Sequence, residues 1–279
     1  MYKMTVWITG ADGSIGSSLK DALKNNKDYK VIATDREVDV SDIDAVQRYF
    51  MIYQPNIIIN CASVSDAEYC EQNKVEAFKV NALGARNMAV VSMQHDIKLI
   101  HLSTDDVFSG INNRAKHEFD VPTPSTVYGQ SKYAGEQFVR ELNPKHLIIR
   151  SSWVYGHNSN DYVSYVLNHA REGQAFEAAI DRISTPTYIK RITDFVVKMI
   201  HEKEYGTYHC ASEGICTRRQ FAVTVLKAAG YDSSLAIPVS NVNSHVVTTL
   251  LENLMMKMTE IYQMPDWQED LENYVKSII

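Results

Sequence analysis

Hydrophobic positions in the first half of the chain gather into short runs separated by longer stretches with helical spacing. Thr5–Thr9, Tyr29–Thr34, Asn56–Asn60, Lys98–Ser103 and His146–Arg150 are the short runs. They are rich in Val, Ile and Leu and do not alternate with polar residues, the pattern of strands buried on both faces of a parallel sheet. Ser14–Asn25, Ile43–Tyr53, Val75–His95 and Ser125–Leu142 lie between them and read as helices. Strand–helix alternation at this spacing predicts an α/β fold, a doubly wound parallel sheet with right-handed crossovers.

The rhythm changes after Trp153. Asp161–Glu172, Thr193–Lys203, Arg218–Ala229, Leu250–Met258 and Trp267–Ile278 read as helices, the last begun by Pro265-Asp266. Arg182–Tyr188 reads as an extended segment or loop, and Gly206–Cys210 as a short strand. The expected division puts the sheet in residues 1–153, with some later segments returning to it. Residues 154–279 then form a smaller, mostly helical lobe at the sheet's carboxyl edge.

Composition narrows the function classes. The chain has 279 residues, 45% of them hydrophobic, enough for a sizeable core. The net charge of -6 and the lack of any Lys/Arg block argue against a nucleic-acid partner. The first residues lack the layout of a signal peptide, and no apolar run is long enough to span a bilayer, so no membrane partner and a cytoplasmic location are expected. Cys61, Cys70, Cys210 and Cys216 have neither zinc-site nor redox-pair spacing and read as free thiols, and no metal is expected.

One turn carries a specific chemistry. Strand Thr5–Thr9 runs into Gly10, Gly13 and Gly16, and a helix follows. Gly10 permits a tight turn, Gly13 lets the backbone approach a pyrophosphate, and Gly16 lets helix and strand pack closely. The helix start, with Asp12, Ser14 and Ile15, offers unpaired N–H groups and partial positive charge. Asp35 stands just past the second strand, placed to bind ribose hydroxyls, and Arg36 beside it is placed to hold a 2′-phosphate. The expected cofactor is therefore NAD or NADP. Asp39 and Val40 would flank the adenine, and the small residues Cys61, Ala62 and Ser63 would leave room after the third strand. Residues 1–153 are on this reading a dinucleotide-binding domain of the Rossmann type.

A second group lies further on. Ser103-Thr104 ends a strand, and Tyr128 and Lys132, four apart on the next helix, share a face. In a chain this rich in Tyr and Lys the pair alone carries no weight; its place after Thr104 does. Ketone reduction needs a proton on oxygen as hydride reaches carbon. Tyr128 would supply the proton, Lys132 would stabilise the phenolate and lower its pKa, and Thr104 would donate a hydrogen bond to the substrate oxygen.

These motifs resemble the extended short-chain dehydrogenase/reductase family, and within it the dTDP-4-dehydrorhamnose reductase branch. The likeness runs through Asn60-Cys61-Ala62, Val80-Asn81-Ala82, Ser103-Thr104-Asp105, Tyr128 to Glu136, Arg150 to Gly156, Thr185-Pro186-Thr187 and Pro265-Asp266-Trp267. The resemblance implies Thr104, Tyr128 and Lys132 as the catalytic set. It also implies NAD(P)H reducing the 4-keto group of a nucleotide-linked deoxysugar, in the sense of dTDP-L-rhamnose formation. Asn81 would help order the nicotinamide end, Trp153 would pack on the sugar, and Asp105 would shape the pocket. A homodimer is within the family's range.

Three features depart from the branch. Asp106 replaces the usual Tyr, and at this point sugar-nucleotide dehydratases carry Thr-Asp-Glu. The Arg-Pro-x-x-Ser stretch that helps hold the nucleotide is absent from Asn241–Thr249. Arg182 stands where an amide is common. Two alternatives therefore stand beside the reductase. One is a dehydratase or epimerase with tightly held NAD, suggested by Asp105-Asp106. The other is a non-catalytic NAD(P)-binding regulatory subunit, like that of methionine adenosyltransferase.

Overall fold

The computed structural model describes residues 3–108, 114–156, 161–240 and 249–279. The first half runs β1 (Met4–Thr9), α1 (Ser14–Lys24), β2 (Tyr29–Thr34), α2 (Ile43–Tyr53), β3 (Ile57–Asn60), α3 (Ala67–Gln72), α4 (Lys74–Phe78), α5 (Ala85–Gln94), β4 (Lys98–Thr104), α6 (Val127–Leu142) and β5 (His146–Ser151). The second half runs β6 (Val154–Tyr155), α7 (Tyr162–Arg171), β7 (Phe176–Ala179), β8 (Ile183–Ser184), β9 (Thr187–Tyr188), α8 (Ile189–His201), β10 (Gly206–His209), β11 (Cys216–Thr217), α9 (Arg218–Ala228), β12 (Ala236–Val239), α10 (Leu254–Thr259) and α11 (Trp267–Ile278).

The main sheet has the order β10-β5-β4-β3-β1-β2, and every neighbouring pair is parallel. Alternation along each strand explains the continuous apolar runs. Val6 and Ile8 of β1 face one side and Trp7 the other; Ile57 and Ile59 oppose Ile58 on β3; Leu147 and Ile149 oppose Ile148 on β5. One face is covered by α1 and α8 through Leu19, Leu23, Phe195 and Met199. The other is covered by α2, α5 and α6 through Phe50, Met88 and Val139. Each such side chain contributes about 1.5–3 kcal/mol on burial. Chain order reverses between β1 and β3, which opens a crevice at their carboxyl ends, where open α/β sheets bind ligands.

Later segments return to this sheet. β10 extends it beside β5, and α8 is tied to α1 by the Ser18 and Thr193 hydroxyls, 2.8 Å apart. A second core is built from α7, α9 and α11, with Val166, Phe221, Val225, Trp267 and Leu271 buried in it.

Three expectations need correction. The helix expected over Val75–His95 is broken into α4, a π-helical turn at Lys79–Gly84, and α5. Short α3, begun by the Asp66 carboxylate accepting from Tyr69 N at 2.8 Å, precedes it. The helix expected from Thr193 begins four residues earlier, at Ile189. The helix expected from Leu250 begins at Leu254, because Leu251 instead bridges to Lys116 in an extended pairing. Asn241 to residue 248 lie outside the described residues.

Candidate active site

The glycine turn meets the demands placed on it. Gly10 has a φ of +62°, and a Cβ there would fall 2.6 Å from Ala62 N. A Cβ on Gly16 would fall 2.2 Å from Gly10 O, so only glycine lets α1 start this close to β1. Gly13 differs: its Cβ would meet only Gly10 O, at 3.3 Å, and otherwise open space. No side chain caps the start of α1 and no acidic residue occupies its first turn, so its dipole favours an anion there.

A cavity of about 850 Å³ opens beside this turn. It brings together ten of the expected cofactor residues: Gly10, Asp12, Gly13, Asp35, Arg36, Asp39, Val40, Cys61, Ala62 and Ser63. Burial first, then Asp12 and Glu37, raise the Asp35 carboxyl. Asp39 accepts from Ser41 N and Oγ at 2.8 and 2.7 Å, which holds its carboxyl low and fixes the turn into α2. Gly16, Ser14 and Ile15 do not line the cavity; the Ile15 side chain packs on the core, so the start of α1 offers backbone there. Burial pushes the Cys61 thiol up to about 12.

Asn81 sits in the π-helical turn and is fully occupied by protein. It accepts from Val64 N at 2.8 Å and Ser63 Oγ at 3.1 Å, and donates to Val64 O and Ser131 Oγ, each at 2.9 Å. It therefore clamps the loop after β3 to α6. π-Bulges of this kind recur at functional sites.

Tyr128, Lys132 and Thr104 converge at the carboxyl end of β4. The Thr104 and Ser63 hydroxyls stand beside the Tyr128 phenol. Lys132 Nζ donates to Leu102 O at 2.7 Å, fixing α6 on β4 one turn below Tyr128. Burial lowers the Lys132 ammonium to about 8, against the raising influence of Glu136 and Cys61. The phenol behaves opposite to the sequence expectation. Burial first, and Asp106 second, push Tyr128 above the ordinary value of 10.

Asp105 and Asp106 stand beside this group. Thr104 Oγ1 lies 3.2 Å from Asp105 Oδ1 and 3.4 Å from Asp106 Oδ2. Burial raises both carboxyls, and Asp106 adds to the rise at Asp105, which reaches about 7. Asp105 Oδ2 also contacts Ser152 Oγ at 2.7 Å; Ser152 meets Ser184 Oγ at 2.6 Å, and Ser184 donates to Thr249 O at 3.0 Å. Trp153, the next residue, has a φ of +38°, and its ring lies under the Arg218 guanidinium at 3.9 Å. Trp153 is thus stacked on protein.

Sequence reasoning assigned no role to the network behind α6. Glu136 accepts from Ser103 Oγ at 2.6 Å and takes a two-pronged contact from Arg150 at 2.8 and 2.6 Å, all buried. The signal was present: Glu136 lies four residues after Lys132, on the same helix face.

A family model described as the RmlD substrate binding domain matches residues 4–279. The spore coat polysaccharide biosynthesis protein SpsK of Bacillus subtilis is 34% identical, over 82% of this chain and 81% of that protein. The dTDP-4-dehydrorhamnose reductase of Aggregatibacter actinomycetemcomitans is 32% identical, over 95% of this chain and 96% of that protein. The crystal structure of dTDP-4-dehydrorhamnose reductase from Bacillus anthracis in complex with NADP superposes with a TM-score of 0.92 at 35% identity, over 98% and 99% of the two chains. The chain belongs to the RmlD substrate-binding-domain family, in its dTDP-4-dehydrorhamnose reductase branch.

Proposed function

We propose that this chain is an NAD(P)H-dependent reductase of a dTDP-linked 4-keto-6-deoxysugar. The observation that carries the reading is the Tyr128 phenol beside the Thr104 and Ser63 hydroxyls, one helical turn above Lys132, at the sheet end that also carries the glycine turn. Glycines whose Cβ atoms would strike backbone, an uncapped helix start and a cavity of about 850 Å³ fit a dinucleotide. Gly13 would admit its pyrophosphate, and Asp35 and Arg36 its adenosine ribose. When bound, the cofactor supplies hydride to the keto carbon.

The chain's residues supply the rest. Thr104 Oγ1 would donate to the keto oxygen as negative charge grows there. Tyr128 would pass its phenolic proton to that oxygen, and the Lys132 ammonium would offset the phenolate left behind. Residues 154–279 would form most of the sugar-nucleotide site. A cytoplasmic location, where both substrates are kept, and a homodimer belong to the same reading.

The test is NAD(P)H oxidation with a dTDP-linked 4-keto-6-deoxysugar. Stoichiometric oxidation supports the reading. Protein that copurifies with NAD and turns over without added NAD(P)H would instead support the dehydratase or epimerase reading, which the Asp105–Asp106 pair favours.

A further inference from the structure

β8 and β11 form a two-residue antiparallel ribbon, with Ser184 opposite Cys216 and Ile183 opposite Thr217. The register continues one step further, and Arg218 N donates to Arg182 O at 2.9 Å. Two arginines thus face each other across the ribbon. Like charges directly opposite on a ribbon repel. Neither guanidinium meets a carboxylate among the described residues, although both are half-buried. Arg182 Nε is buried with no hydrogen-bond partner, and so is the Tyr162 hydroxyl. Arg218 is held flat between the rings of Trp153 and Tyr162, at 3.9 and 4.4 Å. That stack fixes a planar fork in place without using its N–H donors.

The pair is joined to the reacting centre. Ser184 meets Ser152, which meets Asp105, next to Thr104. Arg182 lies two residues before Ser184 and shares its side of the ribbon, about 7 Å along it.

We propose that Arg182 and Arg218 form a diphosphate-binding subsite, which holds the linkage between the sugar and its nucleoside. This rests on the reductase reading for its ligand, but the arginine pair calls for an anion on its own account. Each diphosphate oxygen would take N–H donors from the two forks, and its charge would relieve their repulsion. The pair would thereby do the work expected of the Arg-Pro stretch that Asn241–Thr249 lacks.

The experiment titrates the full-length protein, its cofactor site filled with NADPH, with inorganic pyrophosphate and separately with dTDP. Arg182→Gln and Arg218→Gln should each weaken both ligands at least about tenfold, with a shallower dependence on salt. NADPH affinity should hold, and ligand-free Arg182→Gln should melt no lower than wild type, since it relieves repulsion. If Arg218→Gln melts early through loss of its stack, Arg182→Gln alone decides. Unchanged pyrophosphate affinity in Arg182→Gln, or no binding by wild type, overturns the subsite. Pyrophosphate binding that needs both arginines, in a protein that reduces no keto-sugar nucleotide, would keep the subsite and sink the reductase reading. Normal reduction with a wild-type KM in both variants would do the opposite.

Discussion

Asp105 Oδ2 and Ser152 Oγ lie 2.7 Å apart at the head of a chain of short contacts that ends on the Thr249 carbonyl. Ser152 Oγ donates to Asp105 Oδ2 and Ser184 Oγ donates to the Thr249 carbonyl, so Ser152 opposes the rise that burial and Asp106 impose on the Asp105 carboxyl. That carboxyl is raised to about 7, by burial and by Asp106. A free Asp has a pKa near 3.9. Between about pH 4 and 7 the folded protein therefore keeps a proton that the unfolded chain releases, and stability falls as pH rises, by up to about 1.4 kcal/mol per unit. Asp105→Asn should flatten this slope, gaining on wild type at pH 8 and not at pH 4. Denaturant melts at the two pH values check it; parallel slopes would show that Asp105 ionises freely.

Gly13 and Gly16 should separate binding from folding. Gly16→Ala places a methyl 2.2 Å from Gly10 O and should cost about 1–3 kcal/mol of stability or more. Gly13→Ala meets only one atom, at 3.3 Å, and should fold nearly as well while losing NADPH affinity. Thermal melts and NADPH titrations of both variants measure the contrast, and equal loss of stability in the two would contradict it.

Glu136 and Arg150 fasten the helix that carries Tyr128 and Lys132 to the sheet. Glu136→Ala leaves a buried guanidinium without its carboxylate, and breaking such pairs costs about 3–5 kcal/mol. The midpoint of urea unfolding should drop accordingly. A shift worth less than about 1 kcal/mol would mean that Arg150 finds another partner.

The sheet was legible because strands buried on both faces must be apolar at every position, as Val6, Trp7 and Ile8 are. The glycine turn was legible because its geometry admits almost nothing else. α3 was not, since Cys70 is its only buried residue and gives no apolar period. The π-helical turn was not, because it is fixed by Asn81 contacts to Val64 and Ser131, 17 and 50 residues away. The direction of the Tyr128 shift depends on Asp106 and on burial, which neighbours in sequence do not reveal. The meeting of Arg182 and Arg218 depends on a ribbon too short to show a period.

Positioned acid–base groups typically give 10²–10⁴-fold, so Tyr128→Phe should lose roughly that in kcat while keeping its affinity for NADPH. Single-turnover rates and a cofactor titration check both halves. A variant with full activity would remove Tyr128 from the chemistry.

Hydride transfer to the sugar is tested most directly with NAD(P)H deuterated at C4 of the nicotinamide and a dTDP-linked 4-keto-6-deoxysugar. The product should carry one deuterium, on C4 of the sugar, for each cofactor oxidised. A sugar product formed without deuterium and without net cofactor oxidation would contradict the account.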